Sequence, residues 1–214
     1  MSASAPSAAR ALAADLLDIE AVLLRPEAPF TWSSGMQSPI YCDNRLTMAH
    51  PRIRRAIRDG FAACIEAHGL SFDVIAGTAT AGIPHAAWLA ERLGAPMAYI
   101  RSSAKGHGRE NQIEGRIAAG QQVLVIEDLV STGGSALDAA AAVRAAGAEV
   151  PAVLAIFSYG LGAAAEAFAE AHVPLHTLTD FPTLLQVAVA RGALSEDELS
   201  TLQNWRRDPE GWPA

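Results

Sequence analysis

Short apolar runs alternate with segments of helical periodicity from Ser71 onward, and this alternation constrains the fold more than any other feature of the chain. Apolar runs of this kind are typical of parallel strands that are buried on both faces. Strands separated by helices predict an α/β fold with a doubly wound, mainly parallel central sheet. The expected strands lie at residues 73–76, 97–100, 123–126, 152–157 and 176–178, with helices at 84–93, 135–146 and 163–171.

The rest of the chain is expected to be arranged around this core. Helical spacing predicts helices at residues 8–24 and 51–68, and the Ser-, Gly- and Pro-rich stretch between them predicts a hairpin or a looped strand pair at 30–41. The predicted division is a disordered tail at 1–10, a helix and turn-rich segment at 11–70, the α/β core at 71–182, and a helical C-terminal segment at 183–214.

Composition excludes several classes of function. The formal net charge of -7 disfavours non-specific binding to nucleic acid. Cys42 and Cys64 are the only cysteines and show no CxxC spacing, so neither a disulfide framework nor a zinc site is expected. No targeting segment or membrane span is expected, and the cytoplasm is the predicted location. Structural roles are expected for His50, His68, His85, His172 and His176, which lack metal-like spacing.

The segment from Val123 to Ser135 joins an apolar run to two adjacent acids, a hydroxyl- and glycine-rich turn, and the start of an alanine-rich helix. A helix that begins directly after a turn presents unpaired backbone N–H groups at the positive end of its dipole, and such a helix start binds phosphate. Glu127 and Asp128 precede the turn, where carboxylates can hold sugar hydroxyls or a hydrated cation. The segment therefore predicts a site for a phosphorylated sugar; a helix cap beside a solvated pair of acids is the structural alternative.

Two further segments follow predicted parallel strands and are therefore expected at the same edge of the sheet. Gly77 and Gly82 flank a turn with the spacing G-x-x-x-x-G, but Ile83 and Pro84 follow it, so a Walker-type nucleotide loop is not expected. The turn either receives a phosphate through backbone N–H groups or is a plain turn. Residues 101–111 are basic and contain glycine, which suits a lid over a departing anion or a solvated loop without a role.

These segments, in this order, resemble the type I phosphoribosyltransferases and, within them, the orotate phosphoribosyltransferase family. Residues 123–135 are similar to the signature for 5-phosphoribosyl-1-diphosphate (PRPP), and the narrower match is the run Lys105-Gly106-His107-Gly108. Within the matching segment at residues 30–47, Ser38-Pro39 and Asp43-Asn44-Arg45 resemble the small N-terminal hood that covers the base in this family. The resemblance implies that the chain transfers a phosphoribosyl group from PRPP to orotate. The implied products are orotidine 5'-monophosphate and pyrophosphate, in de novo pyrimidine synthesis.

The resemblance also implies roles for individual residues. PRPP is expected to contact Arg101, Lys105, His107, Glu127, Asp128, Leu129, Val130, Ser131, Thr132, Gly133, Gly134 and Ser135. Catalytic roles are implied for Lys105, His107 and Asp128, a pyrophosphate-binding role for Thr80, Ala81 and Gly82, and a contact with orotate for Ser131. Mg²⁺ is the implied cofactor, carried mainly by substrate oxygens and water. A homodimer is implied, in which the Lys105 loop reaches into the partner subunit's site.

Three features depart from the family pattern. Ser102 stands where many relatives have a lysine, and Ser33 or Ser34 replaces a lysine that precedes the hood glycine in other branches. An arginine that contacts orotate in some members is missing near residues 157–159. The orotate carboxylate therefore needs another partner, for which Arg45 is the candidate, with a structural salt bridge as its alternative role.

Two other functions remain open at the level of sequence. One is a phosphoribosyltransferase for another base, such as a purine, against which the hood-like segment argues. The other is a non-catalytic PRPP-binding regulator. Such a regulator needs a surface that binds its target, which is usually nucleic acid. The acidic net charge disfavours nucleic-acid binding.

Overall fold

Six strands form the central sheet of the protein, whose computed structural model describes residues 5–32, 35–102 and 112–212. The central sheet contains β5 (Val74–Thr78), β6 (Met97–Ile100), β7 (Ile113–Glu114), β8 (Val123–Val130), β9 (Val153–Ser158) and β10 (Leu175–Asp180). Four short strands precede it: β1 (Val22–Leu24), β2 (Phe30–Thr31), β3 (Gln37–Ser38) and β4 (Ile40–Cys42). The helices are α1 (Ala5–Asp18), α2 (Pro51–Ala67), α3 (Gly82–Leu93), α4 (Gly134–Ala145), α5 (Gly162–Glu170), α6 (Phe181–Ala190) and α7 (Glu196–Arg207), with a 3₁₀ helix at Asn44–Ala49.

The central sheet has the order β10-β9-β8-β5-β6-β7, and only the β6–β7 pair is antiparallel. Successive residues of β8 point to opposite faces, as a strand requires. Leu124 and Ile126 pack with apolar residues of α1, α2, α3 and α6, whereas Val123 and Val125 pack with those of α4 and α5. Helices therefore cover both faces, and the predicted doubly wound α/β fold is confirmed.

The N-terminal hood is built from two short antiparallel strand pairs, β1 with β4 and β2 with β3. It is joined to the C-terminal helix α7. The indole N–H of the fully buried Trp205 donates to the carbonyl oxygen of Gln37 at 3.1 Å, and the Trp32 ring lies 5.8 Å from that of Trp205. Tyr159, after β9, packs against both tryptophan rings. This aromatic cluster connects the hood, α7 and the carboxyl edge of the sheet.

The N-terminal prediction is wrong in two respects. The tail predicted at residues 1–10 overlaps the helix predicted from residue 8, and α1 in fact begins at Ala5. The predicted helix at 8–24 ends at Asp18, because residues 22–24 pair with β4 in the register Val22↔Cys42 to Leu24↔Ile40. The apolar run at residues 22–24 has only weak helical periodicity, and its pairing with β4 outweighs that preference. The wider division of the chain into segments remains a prediction.

The strand that carries the two acids is longer than its apolar run indicates. β8 continues through Glu127 and Asp128 to Val130, because β9 pairs with it as far as the register Val130↔Ser158. The turn before α4 is therefore only three residues long, at 131–133. The acids are consequently held by a sheet ladder, which fixes their direction better than a loop does.

Candidate active site

Three segments meet at the carboxyl edge of the sheet, after β5, β6 and β8. From β5 the chain first crosses to β6 on one side and later returns to β8 on the other. The gap between β5 and β8 is therefore a topological switch point, where open α/β sheets bind their ligands. The structure brings together the turn after β5, the start of the basic segment after β6, and the acids and turn of β8, as the sequence predicts.

Glu127 is a buried carboxylate that holds this edge together. Its side chain is 4% exposed and accepts three hydrogen bonds. The Thr78 hydroxyl donates to Oε1 at 2.6 Å, the Asp128 N–H donates to Oε1 at 3.0 Å, and the Ser135 hydroxyl donates to Oε2 at 2.8 Å. One carboxylate thus ties the end of β5 to the first turn of α4. Because a carboxylate oxygen accepts two hydrogen bonds, Oε2 retains room for one more donor, such as a ribose hydroxyl.

Asp128 follows Glu127 in β8 and is only partly buried. Burial raises the pKa of its carboxyl group, and the adjacent Glu127 raises it further. Its carbonyl oxygen accepts a 2.6 Å hydrogen bond from Nδ2 of Asn44, in the 3₁₀ helix. The backbone of Asp128 is therefore pinned, and its carboxyl group is held in a setting that disfavours charge until a ligand compensates it.

Replacing Asp128 by asparagine is expected to stabilise the ligand-free protein while abolishing most activity. The raised pKa means that the folded state opposes ionisation, so the native charge costs stability above the ordinary aspartate pKa. The gain should be about 1 kcal/mol or more at pH 8, and each kcal/mol corresponds to about 2–4 °C in the melting temperature for a chain of this size. The gain should shrink as the pH falls through about 7, where the folded-state carboxyl group takes up its proton, and it should vanish only below the ordinary aspartate pKa of 3.8, where the group is protonated in both states.

Thermal unfolding of Asp128→Asn against wild type at several pH values measures this effect. Asp138→Asn changes an exposed aspartate of α4 and is the matched control, expected to show no such trend. A destabilised Asp128→Asn protein at pH 8 would contradict the prediction.

The turn at 131–133 and the first residues of α4 are the segment that the sequence predicts to bind phosphate. Gly133 adopts a left-handed φ of 90°, and a Cβ there would lie 2.8 Å from a ring carbon of Phe168, so this position requires glycine. No side chain caps the start of α4. Its first backbone N–H groups are therefore available to an anion at the positive end of the helix dipole. Leu129 and Val130 lie in β8 with their side chains in the core, so any contact with a ligand would use their backbone.

The turn after β5 presents a second uncapped helix start. α3 begins at Gly82, and no side chain among the described residues caps it. A Cβ on Gly82 would overlap the Ile126 carbonyl oxygen, and one on Gly77 would lie 2.8 Å from the Gly82 carbonyl oxygen. The Ala79 N–H donates to the Ile100 carbonyl oxygen at 2.7 Å, and the Ala79–Thr80 peptide bond is cis. The two glycines thus permit close backbone packing, which brings the turn at 80–82 against the edge that carries the acids.

Arg101 is the one predicted PRPP ligand of the basic segment that lies within the described residues. It follows β6, and its Nη1 is buried, has no hydrogen-bond partner among the described residues, and lies 3.8 Å from a carboxylate oxygen of Glu114. A buried guanidinium nitrogen with an unused donor is suited to an anionic ligand. Lys105 and His107 lie outside the described residues, so their roles remain predictions.

Arg45 has the second of its two predicted roles in the structure. Its Nε and Nη2 donate to the two carboxylate oxygens of Asp43 at 2.6 and 2.7 Å, and the arginine side chain is 61% exposed. Its proposed contact with orotate would have to compete with this bidentate ion pair.

Within the described part of the chain, no helix is both long and apolar enough to cross a membrane.

The sequence does not reveal two contacts that build the site. Thr78 lies in the turn that the sequence predicts between Gly77 and Gly82, but its hydrogen bond to Glu127 spans 49 positions. Asn44 lies in the hood-like segment, 84 positions from its acceptor at Asp128. Neither residue stands out locally, because Asn44 lies between Asp43 and Arg45 and Thr78 lies in a turn-forming stretch.

The chain is similar to known phosphoribosyltransferases. A family model described as a phosphoribosyl transferase domain matches residues 48–172. The orotate phosphoribosyltransferase of Halalkalibacterium halodurans is 58% identical over 198 residues, which cover 92% of this chain and 94% of that relative.

Solved structures of the same kind share the fold. An orotate phosphoribosyltransferase from Aeropyrum pernix has a TM-score of 0.73 at 32% identity, covering 86% of this chain and 99% of that chain. The Mycobacterium tuberculosis enzyme in complex with PRPP has a TM-score of 0.65 at 26% identity, covering 83% of this chain and 98% of that one. UMP synthase of Leishmania donovani has a TM-score of 0.80 at 28% identity, but the 94% of this chain that matches covers only 42% of the synthase.

Proposed function

This chain belongs to the orotate phosphoribosyltransferase family, and from that premise we propose how its residues share the transfer of a 5-phosphoribosyl group from PRPP to orotate. The products are orotidine 5'-monophosphate and pyrophosphate, in pyrimidine biosynthesis. The observation that carries the proposal is the convergence of two uncapped helix starts on one pair of acids at the switch point of the sheet.

The two ends of PRPP occupy the two helix starts. The 5-phosphate accepts hydrogen bonds from the backbone N–H groups of residues 131–135, which have no capping side chain to compete with it. The pyrophosphate accepts from the backbone of residues 80–82 and from Arg101, whose buried nitrogen has an unused donor. Lys105 and His107 complete the cationic surroundings of the pyrophosphate. The ribose hydroxyls donate to Asp128 and to the remaining acceptor position on Glu127.

Mg²⁺ is the cofactor that we propose for this site, and the donor chemistry fits it. The carboxyl edge offers carboxylate, hydroxyl and carbonyl oxygens, which suit a hard cation. The described residues contain no group of three His, Cys, Asp or Glu side chains that could hold a metal by itself. Mg²⁺ commonly keeps water and binds through one or two carboxylates with substrate phosphates, and Asp128 would be such a carboxylate. The bound ion would neutralise charge on the pyrophosphate.

The chemistry that remains for the chain is positioning and charge stabilisation. Orotate attacks C1 of the ribose as the bond to pyrophosphate breaks, and ionised orotate needs no strong base. Fixed backbone amides hold the phosphate while the acids hold the sugar, so C1 is presented in one orientation. Negative charge grows on the departing pyrophosphate, and preorganised cations such as Arg101 and Lys105 stabilise it more than they stabilise the ground state. We assign the contact with orotate to Ser131, at the start of the turn, because the family resemblance implies it.

The reaction is tested by following the absorbance of orotate in the presence of PRPP and Mg²⁺. Orotate should be consumed only when both are present, and equimolar adenine, guanine or hypoxanthine should not compete. Consumption of a purine instead of orotate would support transfer to another base. Binding of PRPP without turnover of any base, together with a gel shift of nucleic acid, would support a regulator.

We also propose a homodimer in which the Lys105 loop completes the partner subunit's site, and a cytoplasmic location. The resemblance of the loop sequence to the family supports the first. The composition of the chain, with two cysteines and no membrane-spanning helix among the described residues, supports the second.

A further inference from the structure

A buried chain of polar side chains connects the hood to both halves of the proposed PRPP site. Asn44 and Thr47 of the 3₁₀ helix are fully buried, and His85 of α3 is 2% exposed. Asn44 Nδ2 donates to the Asp128 carbonyl oxygen at 2.6 Å, the Thr47 hydroxyl donates to the Asn44 carbonyl oxygen at 2.6 Å, and Thr47 Oγ1 lies 3.5 Å from Nε2 of His85. The sequence alone suggests only a satisfied structural histidine at position 85.

The direction of these contacts follows from the number of protons available. The Thr47 hydroxyl has one proton, which it donates to Asn44, so toward His85 it acts as the acceptor. Nε2 of His85 therefore carries the imidazole proton, and Nδ1, which is buried and has no hydrogen-bond partner in the described part of the chain, is the unprotonated nitrogen. Burial lowers the pKa of His85 to about 4, so the ring is neutral at physiological pH. An edge-to-face contact with the Trp88 ring, with 5.3 Å between the ring centroids, holds the His85 ring in this orientation.

Such a buried polar chain is costly to fold, because each group loses water and one imidazole nitrogen remains unpaired. Apolar side chains of similar size would fill this space more cheaply. The elements that the chain connects suggest why it is polar. His85 lies in the first turn of α3, directly after the turn at 80–82, and Asn44 pins the backbone of Asp128. A directional contact fixes the distance between these two elements, whereas an apolar contact allows them to slide.

We propose that Thr47 and His85 are positioning residues for PRPP: their contact sets the spacing between the pyrophosphate turn on α3 and the ribose-binding Asp128 on β8. This proposal rests on the proposed function, because it requires both elements to bind one PRPP molecule. The two side chains act through Asn44 and through the first turn of α3, and neither touches the substrate.

Thr47→Val removes the hydroxyl and keeps the shape, and it is expected to raise KM for PRPP about tenfold, equivalent to about 1.4 kcal/mol. KM for orotate should stay within about twofold, since a general loss of structure would affect both substrates. Thr47→Ser keeps the hydroxyl and should restore wild-type values. Thr179→Val removes another buried threonine hydroxyl, in β10, and is the matched control without an effect on PRPP.

A second pair of variants tests the contact itself. His85→Phe should raise KM for PRPP as Thr47→Val does, and the double variant should be no worse than either single one, because both changes remove the same link. His85→Gln, which can place an amide donor near the Nε2 position, should recover part of the loss. Wild-type KM for PRPP in Thr47→Val, fully additive effects, or equal changes in both KM values would overturn the proposal. Failure of the wild-type protein to consume orotate would instead refute the proposed function, and PRPP affinity measured by calorimetry would then test the positioning roles separately.

Discussion

Lys105→Ala is expected to lower kcat by about 10² or more while the fold stays unchanged. The reason is electrostatic: an ammonium group near the departing pyrophosphate interacts mainly with charge that develops in the transition state, so its loss affects turnover more than substrate binding. Steady-state kinetics with both substrates varied, alongside thermal unfolding, measure the effect. Lys105 is the only lysine among the 214 residues, so no other ammonium side chain can replace it.

Two controls separate a specific role from loss of charge. Arg116→Ala removes one positive charge from an exposed position and should leave kcat within about twofold of wild type. Lys105→Arg keeps the charge but changes its geometry, and should fall between wild type and alanine. Near-normal turnover by Lys105→Ala would remove this residue from the catalytic machinery.

The single lysine also allows a test of loop exchange between subunits. If the loop acts in the partner's site, mixing inactive Lys105→Ala protein with a variant that is inactive because Glu127 or Asp128 is replaced should restore some activity. A mixed dimer would then contain one site with both a wild-type acid edge and a wild-type loop. Mixed proteins that form dimers and remain inactive would contradict the shared loop.

Glu127→Ala is expected to lower kcat/KM for PRPP by about 10² or more, and to destabilise the fold by about 1–3 kcal/mol. Three donors would lose their acceptor at once, including the buried Thr78 hydroxyl, and the first turn of α4 would lose its connection to β5. A displacement of the phosphate-binding turn relative to the pyrophosphate turn separates the two ends of the proposed PRPP site. Chemical denaturation and PRPP saturation kinetics measure the two effects.

Glu127→Gln distinguishes the structural role of this carboxylate from its contact with substrate. The amide oxygen can accept from Thr78 and the Asp128 N–H, and the amide nitrogen can donate to the Ser135 hydroxyl after that hydroxyl rotates. Stability should therefore stay within about 1 kcal/mol of wild type. The acceptor position for a ribose hydroxyl would be lost, so kcat/KM for PRPP should still fall. Glu170→Ala, at an exposed position of α5, is the control, and wild-type kinetics in Glu127→Ala would refute the central role of this residue.

The parts of the site that sequence predicts are those encoded within a few consecutive residues. The acids, the short turn and the following helix lie within 123–135, and their order alone indicates a phosphate next to a sugar. The alternation of strands and helices indicates which edge of the sheet they share. The doubly wound fold followed from the same local patterns.

The parts that sequence could not predict depend on partners far along the chain. β8 extends past its apolar run because β9 pairs with it, and Val22–Leu24 become a strand because β4 is available. The bond from Trp205 to Gln37, across 168 positions, fixes the hood on α7 and has no local signature. Arg45 shows the opposite case, since its ion pair with Asp43, only two residues away, occupies the side chain that the sequence offers as a partner for orotate.

The most direct measurement is a crystal structure of this protein soaked with orotidine 5'-monophosphate. The 5'-phosphate is expected within hydrogen-bond distance of the backbone N–H groups of residues 131–135, with the ribose hydroxyls at Asp128. Density for the nucleotide at any other place, with the turn before α4 empty, would contradict the assignment of this edge as the PRPP site.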